Sequence, residues 1–330
     1  MSCQGNTHYT QGANYCMKTI AQLKEYVNLR SYGDREAAWD NHKASADRVA
    51  KLYDTYSDCD RDLRKSERIS DCAGFLRFGW YHNPNTNKNE IHLVEAHYCH
   101  CRACSVCAWR RSLMLKAKFY MNMPDIIAQY PKVKFIFLTL TLRNCHLSEI
   151  RETVNNMAQA WKRFFQRKQF KNDVLGFVRN LEITRGVNDT CHPHYHILIA
   201  VKQTYFNTGH YISKDMFAQL WKESLRLDYI PVVDVRTIRG AIDRSAVSEL
   251  LKYSVKELDI GNDVWYKSLM DSLHHIRAIS TSGILKDVVK TPKEETDDQL
   301  TFVGDSQDMT PLNRVVDYKW NKPIKRYRKV

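Results

Sequence analysis

Residues 191–201 read Cys-His-Pro-His-Tyr-His-Ile-Leu-Ile-Ala-Val, with His192, His194 and His196 at alternate positions before an unbroken apolar run. On an extended strand, residues two apart share a face. The three imidazoles therefore project together, while Tyr195, Ile197, Ile199 and Val201 point the other way, into a core. Imidazoles ~6.5–7 Å apart along one strand face can converge on a single cation through bonds of ~2.0–2.2 Å. The segment before them, GFVRNLEITR, reads as a partner strand. If residues 186–190 form the loop, Arg185 faces Cys191 and Glu182 faces His194, which sets Glu182 on the histidine face. Two imidazoles and a carboxylate with open coordination positions suit Mn²⁺ or Mg²⁺ beneath water or phosphate, and Zn²⁺ also binds such a set. The spacing leaves open whether His192 joins them.

A nucleophile is offered by SAVSELLKYSVKELD, residues 245–259. As a helix, this segment lines up Val247, Leu250, Leu251, Ser254 and Leu258 in one apolar stripe and sets Glu249, Tyr253 and Lys256 on the opposite side, one turn apart. A phenol of pKa ~10 attacks phosphorus poorly unless a cation stabilises its anion; Lys256 and a nearby metal would do so. Attack would leave a phosphotyrosine and a free 3′-hydroxyl, and Glu249 could activate the water that later resolves the link.

Four of the ten cysteines, Cys99, Cys101, Cys104 and Cys107, fall in C-x-C-x₂-C-x₂-C spacing. This is the pattern of a metal knuckle in a reducing compartment, not of a disulfide framework. A hairpin around the turn-rich NPNTNKN brings Cys72 opposite His100, beside Cys99, so that a fourth thiolate can complete a tetrahedral structural Zn²⁺ site. His97 and His100 are spare donors. The helix that follows carries Arg110, Arg111, Lys116 and Lys118, which with Arg102 make an expected phosphate-binding row.

The elements that must hold these groups are legible in the periodicity. Residues 35–69 read as one long charged helix, and FLRFGWYH with EIHLVEAHYC as a hairpin. Residues 133–257 read β-α-β-β-α-β-α, and the first six elements match the split βαβ arrangement of ferredoxin- and RRM-like folds: α+β, an antiparallel sheet with its helices on one face. The expected organisation is an N-terminal helical region (1–70), a zinc-binding hairpin with a basic helix (71–125), a catalytic domain (130–260) and a C-terminal extension (261–330). Within the extension, TPKEETDDQL reads as an exposed acidic linker, and YKWNKPIKRYRKV as a basic tail, either solvated or touching DNA. The 330 residues carry 50 Lys+Arg against 37 Asp+Glu, a net +13 that favours a polyanionic partner. No apolar run is long enough to span a bilayer, and the N-terminus lacks a secretory signal, so a cytoplasmic location is expected.

These motifs together resemble the HUH endonucleases. HPHYHILIAV resembles their histidine motif, FLTLT (137–141) the first motif of rolling-circle initiators, and ELLKYSVKELD their tyrosine motif. The set resembles the Rep initiators of small rolling-circle plasmids, in the branch with one Tyr preceded four residues earlier by Glu; the likeness spans about residues 70–260. The resemblance implies that His194 and His196 ligate metal, that Tyr253 is the nicking nucleophile, that Glu249 lets the last strand transfer end by hydrolysis, and that Lys256 is the lysine following the tyrosine. Glu182 fits the acidic residue before the histidine strand, and His192 the start of the motif. The family's cysteine pattern selects Cys99, Cys104 and Cys107, followed by Trp109, Arg110 and Arg111; Cys101 departs from it. Implied partners are origin DNA, duplex and single-stranded or hairpin, together with a host helicase and replication machinery; a homodimer is a candidate assembly. Two alternatives are carried forward. One is another HUH enzyme, a relaxase or single-strand transposase, although relaxases place their tyrosine before the histidines. The other is a zinc-containing DNA-binding regulator without catalysis.

Overall fold

The computed structural model describes residues 35–238, 244–252, 264–290, 295–303 and 309–330. The described residues open with two helices, α1 (Arg35–Thr55) and α2 (Asp60–Asp71), where the sequence predicts one. The break falls at Ser57-Asp58-Cys59, where side chains compete for the backbone: Ser57 Oγ donates to the Cys59 carbonyl, and the Asp58 N–H donates to Asp62 Oδ2. Strands β1 (Phe75–Asn83) and β2 (Lys88–Ala96) form the expected hairpin. Its pairing slips by one residue between Arg77 and Phe78, a bulge of the kind that bends a ribbon. Helix α3 (Ser105–Gln129) then runs from the cysteine-rich loop to the centre of the molecule.

That centre is an antiparallel sheet. Its strands are β3 (Lys134–Thr141), β4 (Val174–Arg185), β5 (Cys191–Val201) and β6 (Val233–Ile238), with helix α4 (Ile150–Phe165) between β3 and β4 and helix α5 (Lys214–Leu225) between β5 and β6. The spatial order β6-β3-β5-β4 separates β3 from β4 by the intervening β5. Ser213 caps α5 by accepting the Met216 N–H at 3.2 Å; Met216 itself is exposed, and Phe217, Leu220 and Trp221 face inward. From α4, Val154, Met157, Trp161 and Phe164 join these on the face carrying Tyr195, Ile197 and Ile199. Burial of these side chains, each contributing roughly 1.5–3 kcal/mol, fixes which way β5 faces and so where its histidines point.

Two features depart from the sequence reading. The opposite sheet face is also covered in part. Phe119, Tyr120 and Met123 of α3, and Ala246, Val247 and Leu250 of α6 (Arg244–Leu250), pack on Phe135, Phe137, Val178, Leu198 and Ala200. Helices therefore lie on both faces, and only the end of the second face that bears the histidines is left for chemistry. The C-terminal segment is also woven into both sheets. After α7 (Val264–Ser272), strand β7 (Ile279–Gly283) adds a fifth strand beside β4. Gly176 and Gly283 meet there, and a Cβ on Gly283 would overlap the Leu175 carbonyl. After a short helix, α8 (Asp297–Thr301), strands β8 (Thr310–Asn321) and β9 (Arg326–Lys329) extend the N-terminal hairpin into a sheet ordered β2-β1-β8-β9. The expected solvated tail is thus structured. The expected acidic linker is anchored where it is described: Leu300 is fully buried, and Glu295 and Asp297 hold His100 at 2.8 and 2.7 Å. No helix among the described residues is long and apolar enough to cross a membrane.

Candidate active site

Strands β4 and β5 pair in the register read from the sequence, Arg185 opposite Cys191 and Glu182 opposite His194. One side-chain ligand atom from each of Glu182, His194 and His196 lies within 4.8 Å of the others. Glu182 Oε2 stands 3.0 Å from His196 Nε2 and 3.4 Å from His194 Nε2. Ligands at adjacent corners of a six-coordinate ion with ~2.1 Å bonds are about 3 Å apart, so this donor set fits Mn²⁺ or Mg²⁺. Burial by itself would raise the Glu182 carboxyl, but hydrogen bonds and charge from His194 and His196 outweigh it and hold the group well below the usual carboxylate range. Glu182 is therefore an anion, 1% exposed, with two imidazole nitrogens aimed at it.

The far nitrogens are held as well. His194 Nδ1–H donates to the His192 carbonyl at 3.2 Å, which leaves Nε2 with its lone pair for a cation. His196 Nδ1 lies 3.3 Å from Thr139 Oγ1, on the strand of the FLTLT motif, and 3.5 Å from Glu249 Oε1. His192 is not brought into the cluster: its Nδ1 is 2.8 Å from Asn144 Oδ1.

Helix α6 supplies Glu249. Ala246, Val247 and Leu250 pack down on the sheet, which turns Glu249 toward His196. Its second oxygen pairs with Arg236 on β6 at 2.9 Å. The description of this stretch ends at Lys252, whose carbonyl accepts from Asn180 Nδ2 at 3.1 Å. Asn180 is the register partner of His196, so the Lys252 carbonyl is fastened beside the Glu182–His194–His196 trio. Tyr253 and Lys256 themselves lie outside the described residues. A cavity of about 350 Å³ opens next to this point, with Asn180, Lys252, Tyr266 and Ile279 among its walls. Asn180, Thr139 and Arg236 were not singled out from the sequence. Extending the register by two pairs from Glu182–His194 would have found Asn180 on the same face; nothing local in the sequence marks Arg236.

The second cluster joins Cys72, Cys99, Cys104 and Cys107, whose sulfurs lie within 4.8 Å of one another. Four thiolates ~2.3 Å from one zinc ion stand about 3.8 Å apart, and the Cys72–Cys107 and Cys99–Cys107 separations are both 3.6 Å. Cys72 arrives from the C-terminal end of α2, and the Ala73 N–H donates to the His97 carbonyl at 2.7 Å to bring it beside Cys99. Hydrogen bonds from Cys104, Cys72 and Cys99 push the Cys107 thiol far down, while burial and its neighbours push Cys104 up. A buried sulfur anion among crowded thiols is the environment that a cation relieves, and the donor set fits Zn²⁺. Cys101 is outside the quartet, and His97 and His100 point to carboxylates.

Each residue of the expected phosphate-binding row has a partner within the molecule. Arg102 donates to the carbonyls of Leu273 and Ile276 at 2.9 and 2.6 Å; Arg110 donates to those of Leu300 and Thr301 at 2.7 and 2.9 Å. Arg111 pairs with Glu295 at 2.7 Å. Lys116 reaches Ser248 Oγ at 3.3 Å, and Lys118 the Lys290 carbonyl at 3.1 Å. These cations tie α3 to the C-terminal segments and to α6; they do not form a free basic face.

Comparison with known proteins gives a consistent result. The sequence profile described as replication protein matches residues 90–328. A "Protein rep" from Bacillus amyloliquefaciens is 36% identical over 254 residues, 69% of this chain and 73% of its own length. A "Protein rep" from Streptococcus pneumoniae is 29% identical over 287 residues, 84% of this chain and 88% of its own. A "Replication protein" from Staphylococcus aureus is 36% identical over 180 residues, 50% of this chain and 77% of its own. No solved structure matches the chain.

Proposed function

Because the chain belongs to the replication protein family, that of the rolling-circle plasmid initiators, we propose that it binds a plasmid origin and nicks one strand by metal-dependent transesterification through Tyr253. The observation that carries this reading is the joining of two motifs far apart in sequence. Asn180, paired with His196 on the neighbouring strand, holds the carbonyl of the residue before Tyr253. A regulator without catalysis has no use for a buried Glu-His-His set with the Lys252 carbonyl tethered beside it.

Glu182, His194 and His196 would hold the divalent ion, which when bound supplies a Lewis acid against a phosphate oxygen. Tyr253 Oη attacks phosphorus as its proton is lost; the new phenol–phosphorus bond forms as the bond to the 3′-oxygen breaks, and that oxygen leaves as a free 3′-hydroxyl primer. Lys256, three residues after Tyr253 in sequence, offsets the developing phenolate charge. Glu249 is oriented by its 2.9 Å contact with Arg236, and acts as the base that delivers water to the phosphotyrosine when replication terminates.

The direct test incubates the full chain with Mn²⁺ and a labelled single-stranded origin oligonucleotide. A covalent adduct mapping to Tyr253, with a free 3′-hydroxyl on the other fragment, is expected; binding without any adduct or nick would leave only the regulator. Glu249→Ala is expected to nick within about tenfold of the parent rate but to resolve the final adduct on the order of 10²-fold more slowly. Persistence of the covalent species at termination is the readout, and normal release would remove the hydrolytic role from Glu249.

A further inference from the structure

Strands β8 and β9 place a group of cations on one face of the N-terminal sheet. In the hairpin, Trp320 pairs with Tyr327, Lys319 with Arg328, and Asn321 with Arg326. Alternation turns the two aromatic rings inward, where Trp320 Nε1 donates to Asp47 at 2.7 Å and Tyr327 Oη donates to the Ala73 carbonyl at 2.5 Å. The same alternation turns Lys319, Arg326 and Arg328 outward, all exposed, and the connecting turn adds exposed Lys322 and Lys325. Lys319 stands directly opposite Arg328, and like charges across a strand pair destabilise it. Local pairing does not relieve this. Asp317, the carboxylate of β8, is held by Arg77 through two bonds of 2.8 and 2.9 Å. Among the described residues no carboxylate pairs with Lys319, Lys325, Arg326 or Arg328.

We propose that this outer face of the β8–β9 hairpin grips the phosphate backbone of duplex DNA flanking the nick site. The inference rests on the origin-nicking reading above and gives the duplex a place separate from the catalytic face. A polyanion resolves the like-charge opposition that the fold leaves standing, and long flexible cations reach phosphates without reading bases. Duplex is favoured over single strand because single-strand surfaces stack bases on exposed rings. Here Trp320 and Tyr327 are turned in, and Phe75, opposite Lys319, lies under the Arg77 guanidinium at 5.4 Å. The arginines of α3, engaged within the molecule, leave this duty to the hairpin.

The test uses the full chain with Lys319→Gln, Arg326→Gln and Arg328→Gln combined, beside a charge-conserving set, Lys319→Arg, Arg326→Lys and Arg328→Lys. Affinity for a labelled origin duplex is measured across salt concentrations, and nicking of a single-stranded origin oligonucleotide is measured separately with Mn²⁺. The neutral set is expected to reduce the slope of log K against log salt by about 3, near 0.9 per lost phosphate contact, and to weaken duplex binding at least tenfold at about 100 mM salt. Single-strand nicking stays within about twofold, and the charge-conserving set binds like the parent. Unchanged slope and affinity in the neutral set would overturn the proposal. Equal losses on duplex and single strand would overturn the assignment to duplex. A parent protein that binds duplex with this slope but never nicks would defeat the catalytic reading alone.

Discussion

Tyr253→Phe is expected to abolish covalent capture and nicking, a fall on the order of 10⁴-fold or more, with origin binding and thermal stability unchanged. Removing one hydroxyl from a chain that keeps its ring deletes the attacking atom and little else. No other described tyrosine near the trio offers a substitute. Tyr195 sits on β5 between two of the histidines, but its side chain is on the opposite sheet face and 2% exposed. Tyr266 lines the neighbouring cavity, yet it is 4% exposed and its hydroxyl donates to the Ala103 carbonyl at 2.9 Å. Adduct formation on a single-stranded oligonucleotide, followed by peptide mapping, decides the matter. Nicking that survives in Tyr253→Phe at parent rate would transfer the nucleophile to another residue and break the proposed link between the Asn180 tether and chemistry.

We propose that the cysteine quartet holds a structural zinc ion, whose loss is expected to be as damaging by a different route. Chelation, or Cys107→Ser, should remove one zinc per chain and lower the melting temperature by about 10 °C or more, since structural zinc sites contribute several kcal/mol of folding free energy. The quartet draws on the end of α2, the loop after β2 and the first turns of α3, so no single element holds it alone. Helix α3 carries the effect onward: Cys107 lies near one end, and Phe119, Tyr120 and Met123 near the other pack on the catalytic sheet. Nicking should therefore fall along with the near-ultraviolet circular dichroism of the folded state. A zinc-free protein with unaltered melting and full nicking would show that the four sulfurs pack as a core and bind nothing.

The Glu182–His194–His196 trio was legible because strand alternation is a strict rule with period two. Once the 186–190 loop is placed, the facing of Glu182 and His194 follows, and the observed register agrees. The cysteine quartet was legible for a similar reason, although Cys72 is delivered by a helix end and a backbone hydrogen bond, not by strand pairing. The contacts of the basic row were not legible, because a helix periodicity identifies which residues share a side but not what packs there. Arg102 and Arg110 reach backbone carbonyls, and Arg111 a glutamate, 171 to 191 residues away in sequence. Strand β7 went unseen because ISTSG has little apolar alternation; it is set by the close approach of Gly176 and Gly283. The C-terminal tail misled for its charge: the inward positions Trp320 and Tyr327 carry the folding information, and the lysines and arginines between them mask it.

Weaving the strands of residues 279–283 and 310–329 into sheets begun much earlier has a consequence for synthesis. A nascent chain exposes its histidines and its tyrosine to the cell well before the ribosome has made the strands that finish both sheets. Until those late segments emerge, the catalytic sheet lacks one edge and the amino-terminal hairpin lacks its neighbour. On the proposed reading, the chemical groups emerge before the strands that help to aim them, and premature termination upstream of residue 279 yields a polypeptide that holds those groups without the full scaffold.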